Sequence, residues 1–239
     1  LKAMNYSNDT QILEVLITQE IDIEEYLKPN RVYNVTELPE NAIGNGSAVL
    51  IDGDNGYLVT NYHVVEAGRY FQIKIKNELH RAHVVQTDAK NDLAILKLEN
   101  KIDGLTSIPI SIHSKIGDKI YSAGFPLISE MGESLKVTEG IISSTSFLND
   151  HTKYQISCPI TKGNSGGALV NEHGSLVGVT QGGYRPDLDT ENVNAAVKSL
   201  YIMSLSQAES ECKINIVNSE GGNIDFDVIK NRVFPIFIY

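Results

Sequence analysis

The sequence is poor in several things, and each scarcity narrows its class. Only Cys158 and Cys212 are present among 239 residues. A secreted domain stapled by disulfides normally carries many more, so a reducing, cytoplasmic compartment is expected. Neither cysteine stands in metal-ligand spacing, and neither a metal nor another cofactor is expected. Basic residues are outnumbered, 20 Lys+Arg against 30 Asp+Glu for a formal charge of −10, and no basic cluster stands out. Such a surface repels phosphate backbones, which argues against a nucleic-acid partner. Apolar runs break within a few residues, and Asp9, Glu14 and Glu20 interrupt the first twenty where a signal peptide needs an uncharged centre. Neither a membrane span nor a secretion signal is therefore read. Hydrophobic residues still make up 41% and charged residues 21%, enough to bury a core, which excludes wholesale disorder.

No helix-period segment of convincing length falls between Gly46 and Gly183. That stretch instead holds short β-like segments separated by glycine and Asp/Asn turns. Ser47 to Ile51 and Tyr57 to Thr60 flank Asp52-Gly53-Asp54-Asn55-Gly56, a hairpin signal because Asn-Gly and Asp-Gly tolerate positive φ. Tyr70 to Lys76 alternates strictly, with Phe71, Ile73 and Ile75 on one face. Further strands are predicted at 82–86, 93–98, 119–123, 135–143, 154–158, 168–170, 176–181 and 192–197. Many short strands at this spacing predict an all-β barrel or sandwich. Leu200, Met203, Leu205 and Ala208 predict a closing helix over 198–208. Outside this core, Ile12, Leu13, Leu16 and Ile17 predict an amphipathic helix within Thr10 to Leu27, ended before Pro29. Residues 211–239 read as a further strand, a turn at Glu220-Gly221-Gly222-Asn223 and a final apolar run. The expected organisation is an N-terminal extension over 1–43, an all-β core over 44–210 and a C-terminal extension over 211–239. Either extension would pack on the core or bind a regulatory protein.

Amide hydrolysis at neutral pH needs a nucleophile, a base, a group fixing the base's tautomer, and donors for the oxyanion. Ser165 sits in Gly163-Asn164-Ser165-Gly166-Gly167, where small residues let the backbone turn sharply. His63 follows the strand Leu58-Val59-Thr60 where it reaches the surface. Asp92 opens the hydrophobic strand Leu93 to Leu98, which would partly bury its carboxylate. Each alone reads more readily as a turn or structural residue. Their joint order His, Asp, Ser is that of chymotrypsin-like enzymes. Asp88, the rival carboxylate, lacks an apolar strand immediately after it. His80 and His83, three apart on a strand, would point to opposite faces and so hold no metal together.

Thr60-Asn61-Tyr62-His63-Val64-Val65, Asn91-Asp92-Leu93-Ala94-Ile95-Leu96-Lys97 and Gly163-Asn164-Ser165-Gly166-Gly167-Ala168-Leu169-Val170 resemble the trypsin-like proteases of the high-temperature-requirement (Deg-like) group. Gly124-Phe125-Pro126, Val137-Thr138-Glu139-Gly140-Ile141-Ile142-Ser143 and Gly174-Ser175-Leu176-Val177-Gly178-Val179 extend the likeness, which covers roughly residues 44–205. The resemblance implies a double six-stranded β-barrel with His63 and Asp92 from the first barrel and Ser165 from the second. It implies a serine endopeptidase acting on protein or peptide substrates, with the N–H groups of Gly163 and Ser165 as the oxyanion hole. It also places Pro159 near the floor of the primary specificity pocket and Gln181, Gly182 and Gly183 near its wall. With no aspartate at that floor, a small or medium uncharged residue is the expected preference. Departures from the pattern are informative. Nothing here resembles a PDZ domain, residues 1–40 and 211–239 do not match, and Asn164 replaces the aspartate used in trypsin-type zymogen activation. Lys162 stands where the group commonly has proline, which leaves the oxyanion loop either preformed or ordered by substrate or partner. Because an unregulated protease would be harmful, a latent enzyme released by a partner or ligand that orders this loop is expected. The rival reading from another class is a catalytically silent scaffold using the same barrels for binding.

Overall fold

A computed structural model of the chain describes residues 38–181, 193–218 and 223–239. The helix expected within Thr10–Leu27, Gly182 and Gly183, and Glu220 to Gly222 of the C-terminal turn lie outside the described residues.

Twelve strands close into two six-stranded barrels. The first is built from β1 (Gly44–Asp52), β2 (Tyr57–Thr60), β3 (Phe71–Ile75), β4 (Glu78–Asp88), β5 (Leu93–Leu98) and β12 (Val233–Ile238), in the spatial order β1-β12-β3-β4-β5-β2. The second contains β6 (Lys119–Gly124), β7 (Lys136–Ser144), β8 (Lys153–Ile156), β9 (Ala168–Asn171), β10 (Leu176–Gln181) and β11 (Asn194–Lys198), in the order β10-β11-β8-β7-β6-β9. Among the described residues four short helices accompany them: α1 (Tyr62–Val65), α2 (Ile128–Met131), α3 (Ser199–Ser206) and α4 (Phe226–Lys230).

Local chemistry explains the hairpins. Asp52 is 2% exposed, and its carboxylate accepts from the Asn55 N–H at 3.2 Å and from the Asn55 amide at 2.9 Å, closing the β1–β2 turn. Gly56 then takes the positive φ of 71° that the turn requires. In β3 the alternation is realised as read, with Phe71, Ile73 and Ile75 buried and Gln72 and Lys74 half-buried. Ile73 and Ile75 join Leu50, Leu58, Leu96 and Ile236 in one barrel core. Ile120, Ile142, Ile156, Leu169 and Val177 fill the other.

The C-terminal run corrects the expected organisation. The described residues of 211–239 do not stand apart from the barrels. The Lys213 N–H donates to the Asp52 carboxylate at 2.7 Å, and Ile110 and Ile216 form a parallel bridge. Strand β12 then pairs with β1, from Gly44↔Ile238 to Val49↔Val233, and with β3 from Ile236↔Ile73 to Ile238↔Phe71. All six of its side chains are buried. Pro235, unusual in a strand with two neighbours, sits one residue before the β12–β3 ladder begins, where its missing N–H interrupts no pairing. The helix α3 also differs from the expectation in its inward face. Ser199, Ile202 and Ser206 are buried, whereas Leu200 is 42% exposed. The Ser199 hydroxyl donates to the Ser111 carbonyl at 2.5 Å, which fixes the helix rotation.

Candidate active site

The described geometry begins where β2 ends. Asn61 is fully buried and starts the single turn α1, whose Val64 and Val65 pack into the first barrel and leave the His63 side chain 41% exposed. Asp92 lies just before β5, in a left-handed conformation with φ of 57°. That region is uncommon for a residue with a side chain, although Asp tolerates it better than most, and such conformations concentrate at functional sites. The preceding turn is held by Asp88, which accepts from the Asn91 N–H at 3.0 Å. Asp88 is thereby committed to a turn.

The Asp92 carboxylate is surrounded by donors. His63 Nδ1 lies 2.8 Å from Oδ2 and 3.0 Å from Oδ1, and the His63 backbone N–H donates to Oδ1 at 2.9 Å. Gln181 Nε2 donates to Oδ2 at 2.7 Å. A carboxylate beside Nδ1 selects the tautomer with its proton there and leaves Nε2 as the acceptor. This arrangement fixes both the ring's orientation and its basic nitrogen.

Ser165 is 8% exposed and sits on a loop with two glycines at positive φ, Gly163 at 97° and Gly166 at 83°. At Gly166 a Cβ would come within 2.1 Å of both the Ser47 carbonyl oxygen and Thr60 Oγ1, so no other residue fits. The loop is tied to both barrels. The Gly166 N–H donates to Asn61 Oδ1 at 2.7 Å and to the Thr180 carbonyl at 3.0 Å. Asn61 Nδ2 in turn donates to the Asp92 carbonyl at 2.9 Å. One buried amide thus connects the backbone at Asp92 to the residue following Ser165. The Ser47 N–H donates to the Ser165 carbonyl at 2.9 Å.

The other residues singled out in the sequence are placed differently. Pro159 is exposed beyond the end of β8, and its carbonyl accepts from Thr138 Oγ1 at 3.0 Å. Gln181 closes β10 and directs its amide at Asp92. Sequence reasoning missed Ser47, Thr60, Asn61 and Thr180 as parts of the site. All four are buried polar residues at or inside apolar strand segments, and that mismatch was the available signal.

Comparison with known proteins agrees with this architecture. The family model described as a trypsin-like peptidase domain matches residues 46–179, and the chain belongs to that family. A probable periplasmic serine endoprotease, DegP-like, of Buchnera aphidicola subsp. Baizongia pistaciae (strain Bp) is 39% identical over 150 residues, 59% of this chain and 31% of the relative. The periplasmic serine endoprotease DegP of Escherichia coli (strain K12) is 33% identical over 169 residues, 67% of this chain and 35% of the relative. This chain therefore spans about a third of the length of these curated relatives. Among solved structures, the serine endoprotease from Yersinia pestis superimposes with a TM-score of 0.58 at 32% identity, covering 68% of this chain and 56% of that one. The HtrA-type protease AlgW with decapeptide gives a TM-score of 0.59 at 29% identity, covering 69% and 52%. The fold is that of a Deg-like trypsin-type protease.

These relatives overturn the expected cytoplasmic compartment, since those just described from Buchnera and Escherichia coli are periplasmic by name. The inference from two cysteines failed for a physical reason. Barrels that close without edges and bury two apolar cores do not depend on disulfides, so few cysteines do not imply a reducing environment.

Proposed function

We propose that this chain is a serine endopeptidase that hydrolyses peptide bonds through an acyl-enzyme. The observation that carries the reading is the donor-lined Asp92 carboxylate against His63 Nδ1, connected through Asn61 to the turn holding Ser165. In this reading His63 Nε2 takes the Ser165 hydroxyl proton as Oγ attacks the substrate carbonyl. The N–H groups of Gly163 and Ser165 stabilise the oxyanion. The imidazolium, held by Asp92, returns its proton to the leaving amine, and water releases the acyl group by the reverse proton path.

The finer assignments belong to the same proposal. Pro159, Gln181, Gly182 and Gly183 border the primary specificity pocket, which takes a small or medium uncharged residue. With the Gln181 amide engaged by Asp92, its share of the wall is backbone. A protein or ligand regulates the enzyme through the loop at Lys162. The AlgW structure with a decapeptide supports peptide as the class of ligand, and the relatives' names support a periplasmic or secreted setting. A silent scaffold is not favoured, because the relatives are named endoproteases.

A peptide library incubated with wild type and with Ser165→Ala, each with and without an unfolded protein as activator, tests this. Cuts after small or medium uncharged residues are expected in wild type and none in the variant. Full cleavage by the purified chain alone would refute the regulatory part. No cleavage under any condition would refute the peptidase.

A further inference from the structure

We infer that Ser47, on the first barrel, is a positioning residue for the oxyanion loop on the second, an inference that rests on the reading of Gly163 and Ser165 given above. Ser47 lies within β1 beside Ala48, Val49, Leu50 and Ile51, and like them it is 0% exposed. A hydroxyl buried in such surroundings is costly unless both its donor and acceptor capacities are met. Here they are met by two parts of the second barrel. The Phe125 N–H donates to Ser47 Oγ at 2.9 Å, and the hydroxyl donates to the Gly163 carbonyl at 2.9 Å. The backbone of the same residue holds the loop again, its N–H donating to the Ser165 carbonyl, while its own carbonyl accepts from Thr60 Oγ1 at 2.7 Å. A single side chain and its backbone therefore contact both residues whose N–H groups would face an oxyanion.

The contacts matter because of what Gly163 would otherwise do. A glycine at φ of 97° has access to many alternatives, and the peptide planes on either side of it turn at low cost. Both planes are pinned by their carbonyls. The Lys162 carbonyl accepts from the Leu127 N–H at 3.0 Å, and the Gly163 carbonyl accepts from Ser47. In a trans peptide the N–H points opposite to the C=O. Holding the Lys162 carbonyl on Leu127 therefore aims the Gly163 N–H away from that turn, and the Ser47 contact blocks a compensating rotation of the next plane. Phe125 and Leu127 belong to one turn, so the hydroxyl joins the turn to the loop in the sequence Phe125 N–H, Ser47 O–H, Gly163 C=O. Lys162 itself contributes through its backbone carbonyl.

Interactions that tighten only as the carbonyl becomes an oxyanion lower the barrier without strengthening substrate binding. Ser47→Ala is accordingly expected to lower kcat by about 10- to 1,000-fold with KM within about two-fold. It should weaken inhibition by a peptide aldehyde, which forms a tetrahedral adduct, by a similar factor. Ser47→Cys, a near-isosteric but weaker donor, should fall between, and it replaces the alanine variant if that variant fails to unfold cooperatively. Hydrogen exchange of residues 161–167 supplies a readout independent of turnover, with at least about tenfold faster exchange expected in Ser47→Ala. Unchanged exchange, or kcat within about three-fold of wild type, would overturn the inference. Faster exchange in a chain that cleaves nothing would leave the clamp standing and remove the peptidase reading instead.

Discussion

Replacing Gln181 with alanine removes one of the donors around the Asp92 carboxylate and leaves His63 and Ser165 in place. The lost contact is the 2.7 Å bond from Gln181 Nε2 to Oδ2, the oxygen that also faces His63 Nδ1 at 2.8 Å. Hydrogen bonds to charged groups contribute about 1.5–3 kcal/mol, and Gln181 is only half-buried, so water takes over part of the role and the lower end applies. If that contribution is expressed in holding the imidazolium, kcat/KM falls about tenfold, at about 1.4 kcal/mol for each factor of ten. The assay is kcat/KM on a set of fluorogenic peptides differing only in the residue before the scissile bond. A positioning role lowers every peptide by the same factor. A side-chain role in the pocket wall changes the ratios between them. Gln181→Glu should be worse than alanine, because it places a second carboxylate against Asp92. Values within two-fold of wild type for both variants, or a loss confined to one class of peptide, would refute the reasoning.

Two further outcomes test other parts of the account. Phe237 is fully buried on the closing strand β12, so Phe237→Ala should destabilise the fold by about 3–5 kcal/mol, measured by denaturant unfolding; a loss below about 1 kcal/mol would mean the strand does not complete the barrel. Cys158 is fully buried, which pushes its thiol up to about 12, and Cys212 is pushed to about 12 by burial with Asp52 and Glu209 nearby. At pH 8 the thiolate fraction of either is on the order of one in ten thousand. Iodoacetamide should therefore modify both only after denaturation, and rapid modification of the native chain by mass spectrometry would contradict this.

The sequence disclosed the barrels better than their closure. The boundaries of β2, β5 and β10 follow directly from apolar runs bounded by turn residues, and β3 from its two-residue period. Strand β12 could not be assigned a place, because its pairing with Gly44–Val49 joins the two ends of the described chain and periodicity carries no information about partners. His63 and Asp92 were named from their setting, and they lie in contact. Ser47 and Asn61 were invisible as site components. Each looks like a stray polar residue in an apolar segment until the second barrel supplies the backbone groups they bond. The direction of Gln181 was likewise unreadable, since a strand end can turn a long amide toward a pocket or toward a neighbouring carboxylate. The compartment was misread because composition reports how a chain is stabilised only when its core is too small to suffice.

The most direct test of the central claim is the intact mass and peptide map of the chain after reaction with a fluorophosphonate. The account predicts a single adduct on Ser165, abolished by Ser165→Ala and reduced by His63→Ala at least about a hundredfold in rate. A wild-type chain that stays unmodified with and without an unfolded protein as activator, or an adduct that persists in Ser165→Ala, would contradict it.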